Sequence, residues 1–181
     1  MKEKRFSPTG LIIAALITAA IVFLVRHFHI KNFHIVKPGV LYVSGQPRGM
    51  DYPRLLYGYH INTIINVRSS FEQRERNWYP EEITWAKNNG VKYIELPVEK
   101  GGFLPSKEIR DKFLAVMAVP ENLPVLLHGS SGTKRVPILA AVWLIKNEGL
   151  SAEDAVKIVE KINNDRKITE AENKLITQLT N

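Results

Sequence analysis

The chain has 181 residues, of which 45% are hydrophobic, and this favours one globular domain with room for a short additional segment. A net charge of +7 would suit an anionic partner. Because the basic residues are scattered rather than arranged in a stripe with aromatic residues, no nucleic-acid binding is expected. The absence of cysteine excludes disulfides and thiolate metal sites.

Residues 1–30 have the composition of a membrane anchor. The chain begins with the basic stretch MKEKR, and residues 10–25 carry no charge. This run is slightly shorter than the roughly 20 residues that a span needs, but Pro8 can begin the helix and Arg26 can reach the interface at its end. We therefore expect residues 10–25 to contact the lipid bilayer and residues 31–181 to form the domain.

A cleaved signal peptide is the competing interpretation of this segment, since the apolar regions of such peptides run about 7–15 residues. The only small-residue cleavage site, Thr18–Ala20, would leave a strongly apolar new terminus at Ile21, which argues against cleavage. Three basic residues precede the span and three follow it, so charge alone does not orient it. The signal-like start favours a single-pass anchor with the N-terminus inside and the domain outside the cytoplasm.

After the anchor, strand and helix patterns alternate along the chain. Short apolar runs predict strands at Val40–Val43, Thr63–Val67, Val91–Leu96 and Val125–Leu127. Helical patterns occur at Met50–Tyr59, Pro80–Asn88, Ser106–Val119, Val136–Asn147, Ala152–Asn163 and Glu170–Leu179. This alternation predicts an α/β fold with a mostly parallel central sheet flanked by helices.

Three histidines in the linker after the anchor, His27, His29 and His34, raise the question of a metal site. No acidic residue lies near them in the sequence, so an interfacial role is favoured over metal binding. We expect neither a metal nor a cofactor.

The segment Val125–Arg135, VLLHGSSGTKR, carries the strongest functional signal. Val125–Leu127 is typical of a buried strand, and the apolar sequence from Val136 onward is typical of a buried helix. A strand, a glycine-containing loop and a helix N-terminus bring several unpaired N–H groups to one point, where an anion can bind. Arg135 adds a planar guanidinium suited to two phosphate oxygens. The segment therefore predicts a phosphate-binding loop.

The spacing of His128, Gly132 and Arg135 resembles the HCxxGxxR signature of the cysteine-dependent protein tyrosine and dual-specificity phosphatases. Gly129 stands at the position of the catalytic cysteine. In that family a thiolate at this position attacks phosphorus, which a glycine cannot do. Val136 also replaces the Ser or Thr that usually follows the arginine and supports the cysteine. Two missing parts of one mechanism indicate a natural pseudophosphatase.

Further segments are similar to the atypical dual-specificity phosphatases, in particular to their bacterial members. Residues 32–47, NFHIVKPGVLYVSGQP, resemble the run before the first helix of that group. Residues 63–68, TIINVR, resemble one of its strands, and WYPEE at residues 78–82 resembles a helix start of the bacterial members. The resemblance covers residues 32–179 and implies the dual-specificity phosphatase fold.

The resemblance also implies site residues. Gly129 marks the catalytic position, and Arg135 binds the phosphate. In the superfamily a different loop, which follows the third predicted strand, carries an Asp that acts as general acid. No Asp is present in that loop here and Glu99 is the nearest acid, so Glu99 is the candidate general acid. The predicted phosphate-binding residues are His128, Gly129, Ser130, Ser131, Gly132, Thr133, Lys134 and Arg135. For His128 a structural role is the favoured alternative, because a His that ends a buried strand is more often hydrogen-bonded to the backbone than catalytic.

Several side chains near the loop keep alternative interpretations. Ser130 or Ser131 could replace the missing nucleophile, although neither has an evident base nearby in sequence. Arg68, at the end of its strand, either lines the site or pairs with Glu72 or Glu75 at the surface.

The favoured function is a membrane-anchored phosphatase-like domain that binds a phosphorylated protein or a small phosphate ester without efficient hydrolysis. The alternative is an active phosphomonoesterase acting on a phosphoprotein or an inositol phosphate, if Gly129 is an engineered replacement or another nucleophile substitutes. An interaction module with an empty loop is a third possibility. Phosphate binding separates the third from the others, and turnover of an aryl phosphate separates the first two.

Overall fold

The computed structural model describes residues 8–74, 77–99, 104–163 and 166–178. Its centre is a five-stranded sheet in the order β1-β2-β5-β3-β4. The strands are β1 (His34–Lys37), β2 (Leu41–Ser44), β3 (Thr63–Asn66), β4 (Lys92–Glu95) and β5 (Val125–His128). Strands β2, β5, β3 and β4 are parallel to one another, whereas β1 is antiparallel to β2. The predicted α/β fold is confirmed, and the sheet is mixed.

Eight α-helices accompany the sheet within the described ranges: α1 (Pro8–Phe28), α2 (Asp51–Tyr59), α3 (Ser70–Arg74), α4 (Trp78–Asn88), α5 (Lys107–Met117), α6 (Arg135–Glu148), α7 (Ala152–Ile162) and α8 (Glu170–Gln178). The six helices predicted for the domain are present, with ends shifted by one or two residues. The short α3 and a 3₁₀ turn at Pro120–Asn122 were not predicted. Residue 179, the predicted end of the last helix, lies outside the described residues.

The sheet is buried on both faces, which explains the continuous apolar runs in its inner strands. Successive residues of a strand point to opposite faces. Leu41 and Val43 accordingly pack in the cluster that contains the α5 and α6 side chains, while Tyr42 packs in the cluster with α2 and α4. β5 lies between β2 and β3, and all four of its residues are buried. The loop after β5 therefore starts from the middle of a rigid sheet.

The predicted anchor, residues 10–25, lies within α1. The large apolar side chains of α1 from Leu11 to Leu24 are exposed. Among the residues that the structure describes, no helix has the length and apolar character needed to cross a bilayer. The transmembrane helix expected at residues 10–25 is therefore not found in the structure, and the anchor stays a prediction.

Candidate functional site

The predicted phosphate-binding loop, residues 128–135, lies where β5 ends and α6 begins. Its start is fixed on both sides by the sheet, because the Gly129 amide donates to the Ser44 carbonyl (3.2 Å) and the Val67 amide donates to the His128 carbonyl (3.0 Å). In open α/β sheets, ligands bind at the carboxyl ends of the parallel strands. The loop occupies this position, between the ends of β2 and β3.

A cavity of about 230 Å³ opens over this loop. It is smaller than the pockets of roughly 300–1,000 Å³ that take drug-sized ligands, so it suits one small group of a larger molecule. The residues that line it are Glu72, Gly129, Ser130, Ser131, Gly132, Lys134, Arg135 and Val136. Six of the eight predicted phosphate-binding residues are among them; His128 and Thr133 are not.

Gly132 sets the curvature of the loop. Its φ of +79° is in the left-handed region that favours glycine. A Cβ at this position would lie 2.6 Å from the Gly45 nitrogen and 2.6 Å from the Ser44 carbonyl carbon. The loop can therefore approach the end of β2 this closely only with a glycine at 132.

Gly129 forms the floor of the cavity, and its surroundings are apolar. A Cβ at 129 would lie 3.3 Å from Val136 Cγ2 and 3.6 Å from Val67 Cγ2. Residue 129 does not adopt a positive φ, so its backbone accepts a side chain. A side chain at 129 would thus need Val136 to shift by a few tenths of an ångström, and residue 136 carries no hydroxyl.

Arg135, the first residue of α6, pairs with a carboxylate inside the cavity. Its Nη1 donates to Glu72 Oε2 at 2.7 Å, and both side chains are largely buried. The same oxygen accepts from the Ser69 amide at 3.0 Å. Burial alone would raise the pKa of Glu72, but these donors outweigh it and hold the pKa below its usual range. The sequence did not reveal this contact, because the two residues are 63 positions apart.

For Arg68 the two alternatives were lining the site and pairing with a glutamate at the surface. The structure shows a long contact with Glu72, but in a buried position. Its Nη2 lies 4.0 Å from Glu72 Oε1, while its Nη1 donates to Gln46 Oε1 at 3.1 Å. The guanidinium also lies over the Trp78 ring, 4.1 Å from the ring centre. The side chain is buried against the protein and does not line the cavity. Glu75 lies outside the described residues.

The His128 side chain is fully buried beneath the loop and faces Glu82 of α4, with 3.4 Å between His128 Nε2 and Glu82 Oε2. Glu82 is itself fully buried and accepts hydrogen bonds from Gln46 Nε2 (3.1 Å), Tyr52 OH (3.3 Å) and Tyr93 OH (3.0 Å). Burial would raise the pKa of Glu82, but the adjacent His128 and the hydrogen bonds from Gln46 and Tyr93 lower it below its usual range. His128 therefore joins the loop to α4 instead of facing the ligand space.

The other predicted side chains lie at the edge of the site or outside it. Glu99 accepts a bond from the Ser70 amide at 3.4 Å and does not line the cavity, so its role as general acid stays a prediction. Ser131 Oγ lies 2.8 Å from Thr133 Oγ1. Within the described ranges, no hydrogen bond joins the hydroxyl of Ser130 or Ser131 to a carboxylate or an imidazole. A serine nucleophile would thus lack a base.

Residues 40–177 match the family model described as "DSP-PTPase phosphatase fused to NAD+ Kinase", which covers more than half of the chain. No curated protein is significantly similar to the chain in sequence.

Several solved structures share the fold. The core catalytic domain of the PP-IP phosphatase SIW14 from S. cerevisiae, in complex with citrate, superposes with a TM-score of 0.68 at 19% identity, covering 81% of this chain and 84% of that chain. PTPMT1 in complex with PI(5)P gives a TM-score of 0.65 at 18% identity, over 82% and 94% of the two chains. Tk-PTP in its active form gives 0.61 at 17% identity, over 82% and 96%. At these identities the likeness establishes the fold.

Proposed function

The chain belongs to the family of DSP-PTPase phosphatases, and from this premise we propose that it binds a phosphomonoester in the loop at residues 128–135 but hydrolyses it poorly. The observation that carries the proposal is Gly129, a residue without a side chain in the lining of a cavity that also contains Arg135. The chain is on this account a pseudophosphatase.

The loss of catalysis follows from the floor of the cavity. Without a nucleophilic side chain at 129 no covalent phosphoenzyme forms, and the reaction cannot be split into two easier displacements. The nearest side-chain atoms to that space are methyl groups of Val67 and Val136, which offer a water nucleophile no hydrogen bond. Only slow direct attack by water remains, aided by positioning and by the charge of Arg135.

Phosphate binding does not need the missing thiolate. Arg135 still lies in the cavity at the start of α6, and among the described residues no side chain caps the N-terminus of that helix. The amides of an uncapped helix N-terminus favour an anion. A thiolate would also repel a phosphate dianion, so glycine at 129 removes an unfavourable charge.

A small phosphate ester is the ligand that the site supports best. The cavity of about 230 Å³ fits a phosphate group better than a large ligand. Two proteins of the same fold are described as a PP-IP phosphatase and as a complex with PI(5)P, which is consistent with this ligand class. A phosphorylated protein remains the second ligand class.

Attachment to a bilayer through residues 10–25 is the second part of the proposal, with a single N-terminal pass and the domain outside the cytoplasm. It is supported by the uncharged sequence and by the exposed apolar side chains of α1, among them Leu16, which is 66% exposed, and Phe23, which is 65% exposed. Such a surface in water would be an unusually large apolar patch.

Binding is tested by the protection that inorganic phosphate gives against thermal unfolding. A ligand at about 100 times its Kd should stabilise the native state by about 2.7 kcal/mol. We expect this protection in the natural chain and in the control Arg110→Ala, since Arg110 of α5 donates to the Pro105 carbonyl and does not line the cavity. Arg135→Ala should lose the ligand-induced shift, whatever its own stability. Equal shifts in all three proteins would contradict the proposed site.

A further inference from the structure

The outer side of the phosphate-binding loop contacts the chain segment that directly follows α1. Asn32 Nδ2 donates to the Ser131 carbonyl at 2.7 Å, and Lys31 Nζ donates to the Ser130 carbonyl at 3.2 Å. Each pair is separated by 99 positions in the sequence. Both donors precede residue 40, where the family match begins. The two donor residues therefore lie outside the matched region, whereas the loop carbonyls that accept lie within it.

The segment that supplies the donors is itself fixed to the domain. Ile30 is only 8% exposed and packs in the core cluster with Tyr42 and Leu55. The Lys31 carbonyl accepts a bond of 2.7 Å from the Gly45 amide. Phe33, immediately afterwards, packs its ring 5.9 Å from that of Tyr42. Lys31 and Asn32 thus lie between two anchored residues.

The backbone at Asn32 is in an uncommon conformation that directs its amide. Its φ is +46°, in the left-handed region, where Asn is among the few residues other than glycine that are found regularly. From this backbone conformation the Asn32 side chain donates to the Ser131 carbonyl.

The loop, the end of β2 and Lys31 meet at Gly45 without space for a side chain. A Cβ on Gly45 would lie 2.9 Å from Lys31 Cδ and 3.0 Å from the Ser131 carbonyl oxygen. A side chain at position 45 would push the loop and Lys31 away from the end of β2, so this contact needs glycine.

A loop that directs its N–H groups towards an anion must direct its carbonyl groups elsewhere, and those carbonyls need donors. We propose that Ile30, Lys31 and Asn32 form a clamp that holds the loop in its anion-binding form, and that these residues are positioning residues of the phosphate site. The clamp rests on the proposed phosphate binding. Because ordering the loop in advance lowers the cost of binding, the clamp raises the affinity for phosphate.

The clamp also joins α1 to the site. α1 ends at Phe28, so only His29 separates the helix from the clamp.

The test compares the Kd for inorganic phosphate, measured by titration calorimetry at fixed ionic strength, among single variants of the full chain. Asn32→Gly keeps the backbone conformation but removes the donor, and Lys31→Met keeps the aliphatic stem. Loss of one hydrogen bond should weaken binding about three- to tenfold in each. Lys31→Arg restores a donor to the carbonyl and should bind within about twofold of the natural chain.

The matched control is Lys37→Met, which removes the same charge from β1, where Lys37 pairs with Glu148 and not with the loop. It should bind phosphate as the natural chain does. If Lys37→Met weakened phosphate binding as much as Lys31→Met does, the effect would be one of net charge and the clamp would be refuted. Unchanged binding by Asn32→Gly would also refute it.

If the natural chain binds no phosphate, the proposed function fails and the clamp is judged separately by amide hydrogen exchange at residues 130–133. Faster exchange in Asn32→Gly than in Lys37→Met would support the clamp. Equal exchange in the two variants would refute it.

Discussion

At position 129, the backbone accepts a side chain that the sequence does not provide. A Cβ there meets Val136 Cγ2 at 3.3 Å, a tight contact that a shift of a few tenths of an ångström relieves. We expect Gly129→Cys to fold, with a loss of about 1–3 kcal/mol from the added volume. It should gain measurable but slow hydrolysis of an aryl phosphate. The rate of phosphate release by the purified variant tests this prediction. Gly129→Ala, which adds the Cβ but no thiol, is the control.

Val136 limits that recovery, because it places a methyl group where a hydroxyl would support the thiolate. Thr has nearly the shape of Val, so Val136→Thr should be tolerated in the cavity floor. The double variant Gly129→Cys/Val136→Thr should hydrolyse faster than Gly129→Cys, whereas Val136→Thr alone should stay at background. A double variant no faster than the single one would show that Val136 is not a second lost catalytic part.

The Glu72–Arg135 pair predicts a dependence of stability on pH. The folded state holds the pKa of Glu72 below its ordinary value of 4.5, so the pair contributes stability above about pH 4.5 that is lost as pH falls through the lowered pKa. Glu72→Gln should reduce the free energy of unfolding by about 1–3 kcal/mol at pH 7, because a charge-assisted bond is lost.

Urea denaturation between pH 2 and 7 measures this effect. The difference between the natural chain and Glu72→Gln should shrink towards acid pH. A difference that stays constant across this pH range would show that Arg135 does not stabilise the ionised form of Glu72.

The sequence predicted the residues of the site that are close together in the chain. Gly129, Gly132 and Arg135 belong to one local pattern, and the geometry of a strand, a loop and a helix N-terminus follows from it. Glu72, Glu82 and Asn32 reach the loop only through the fold. The sequence named Glu72 only as a partner for Arg68, and it placed Asn32 and Glu82 only within segments that resemble the family. No local spacing linked any of the three to the loop.

At the scale of elements, Glu82 connects α4 to the strands beneath the loop. Its carboxylate accepts bonds from Tyr52 of α2 and Tyr93 of β4 and faces His128 of β5. Removing one partner of a buried, paired charge costs about 3–5 kcal/mol. We expect Glu82→Ala to lose stability in that range. Glu81→Gln is the control, because Glu81 is the exposed neighbour on the same helix and should stay within about 0.5 kcal/mol.

Urea unfolding monitored by tryptophan fluorescence measures both variants. A small loss in Glu82→Ala, comparable to that of Glu81→Gln, would show that the carboxylate does not join these elements.

The elements that the sequence did not predict are those with weak burial or short length. β1 is an edge strand in which Ile35 is exposed, so it lacks the apolar run that indicated the inner strands. α3 has only five residues, too few for a helical period to be visible. By contrast, α8 begins with the local capping pattern Thr169-x-x-Glu172, and both of its bonds are present: Glu172 N donates to Thr169 Oγ1 at 3.2 Å and Thr169 N donates to Glu172 Oε2 at 2.7 Å.

At the scale of the whole molecule, the exposed apolar helix α1 predicts association with membranes. The full chain should sediment with lipid vesicles and resist carbonate extraction, whereas a fragment that starts at His29, and so keeps Ile30–Asn32, should stay in the supernatant. A mature N-terminus at Ile21 in the native host would instead show that the segment is a cleaved signal peptide.

We propose that the chain binds phosphate monoesters without turning them over. The most direct test measures hydrolysis of an aryl phosphate by the unmodified chain, with a chelator present and at substrate concentrations that saturate binding. We predict a rate close to the uncatalysed background. Robust, metal-independent turnover that is abolished by Ser130→Ala or Ser131→Ala would contradict the account and identify a displaced serine as the nucleophile.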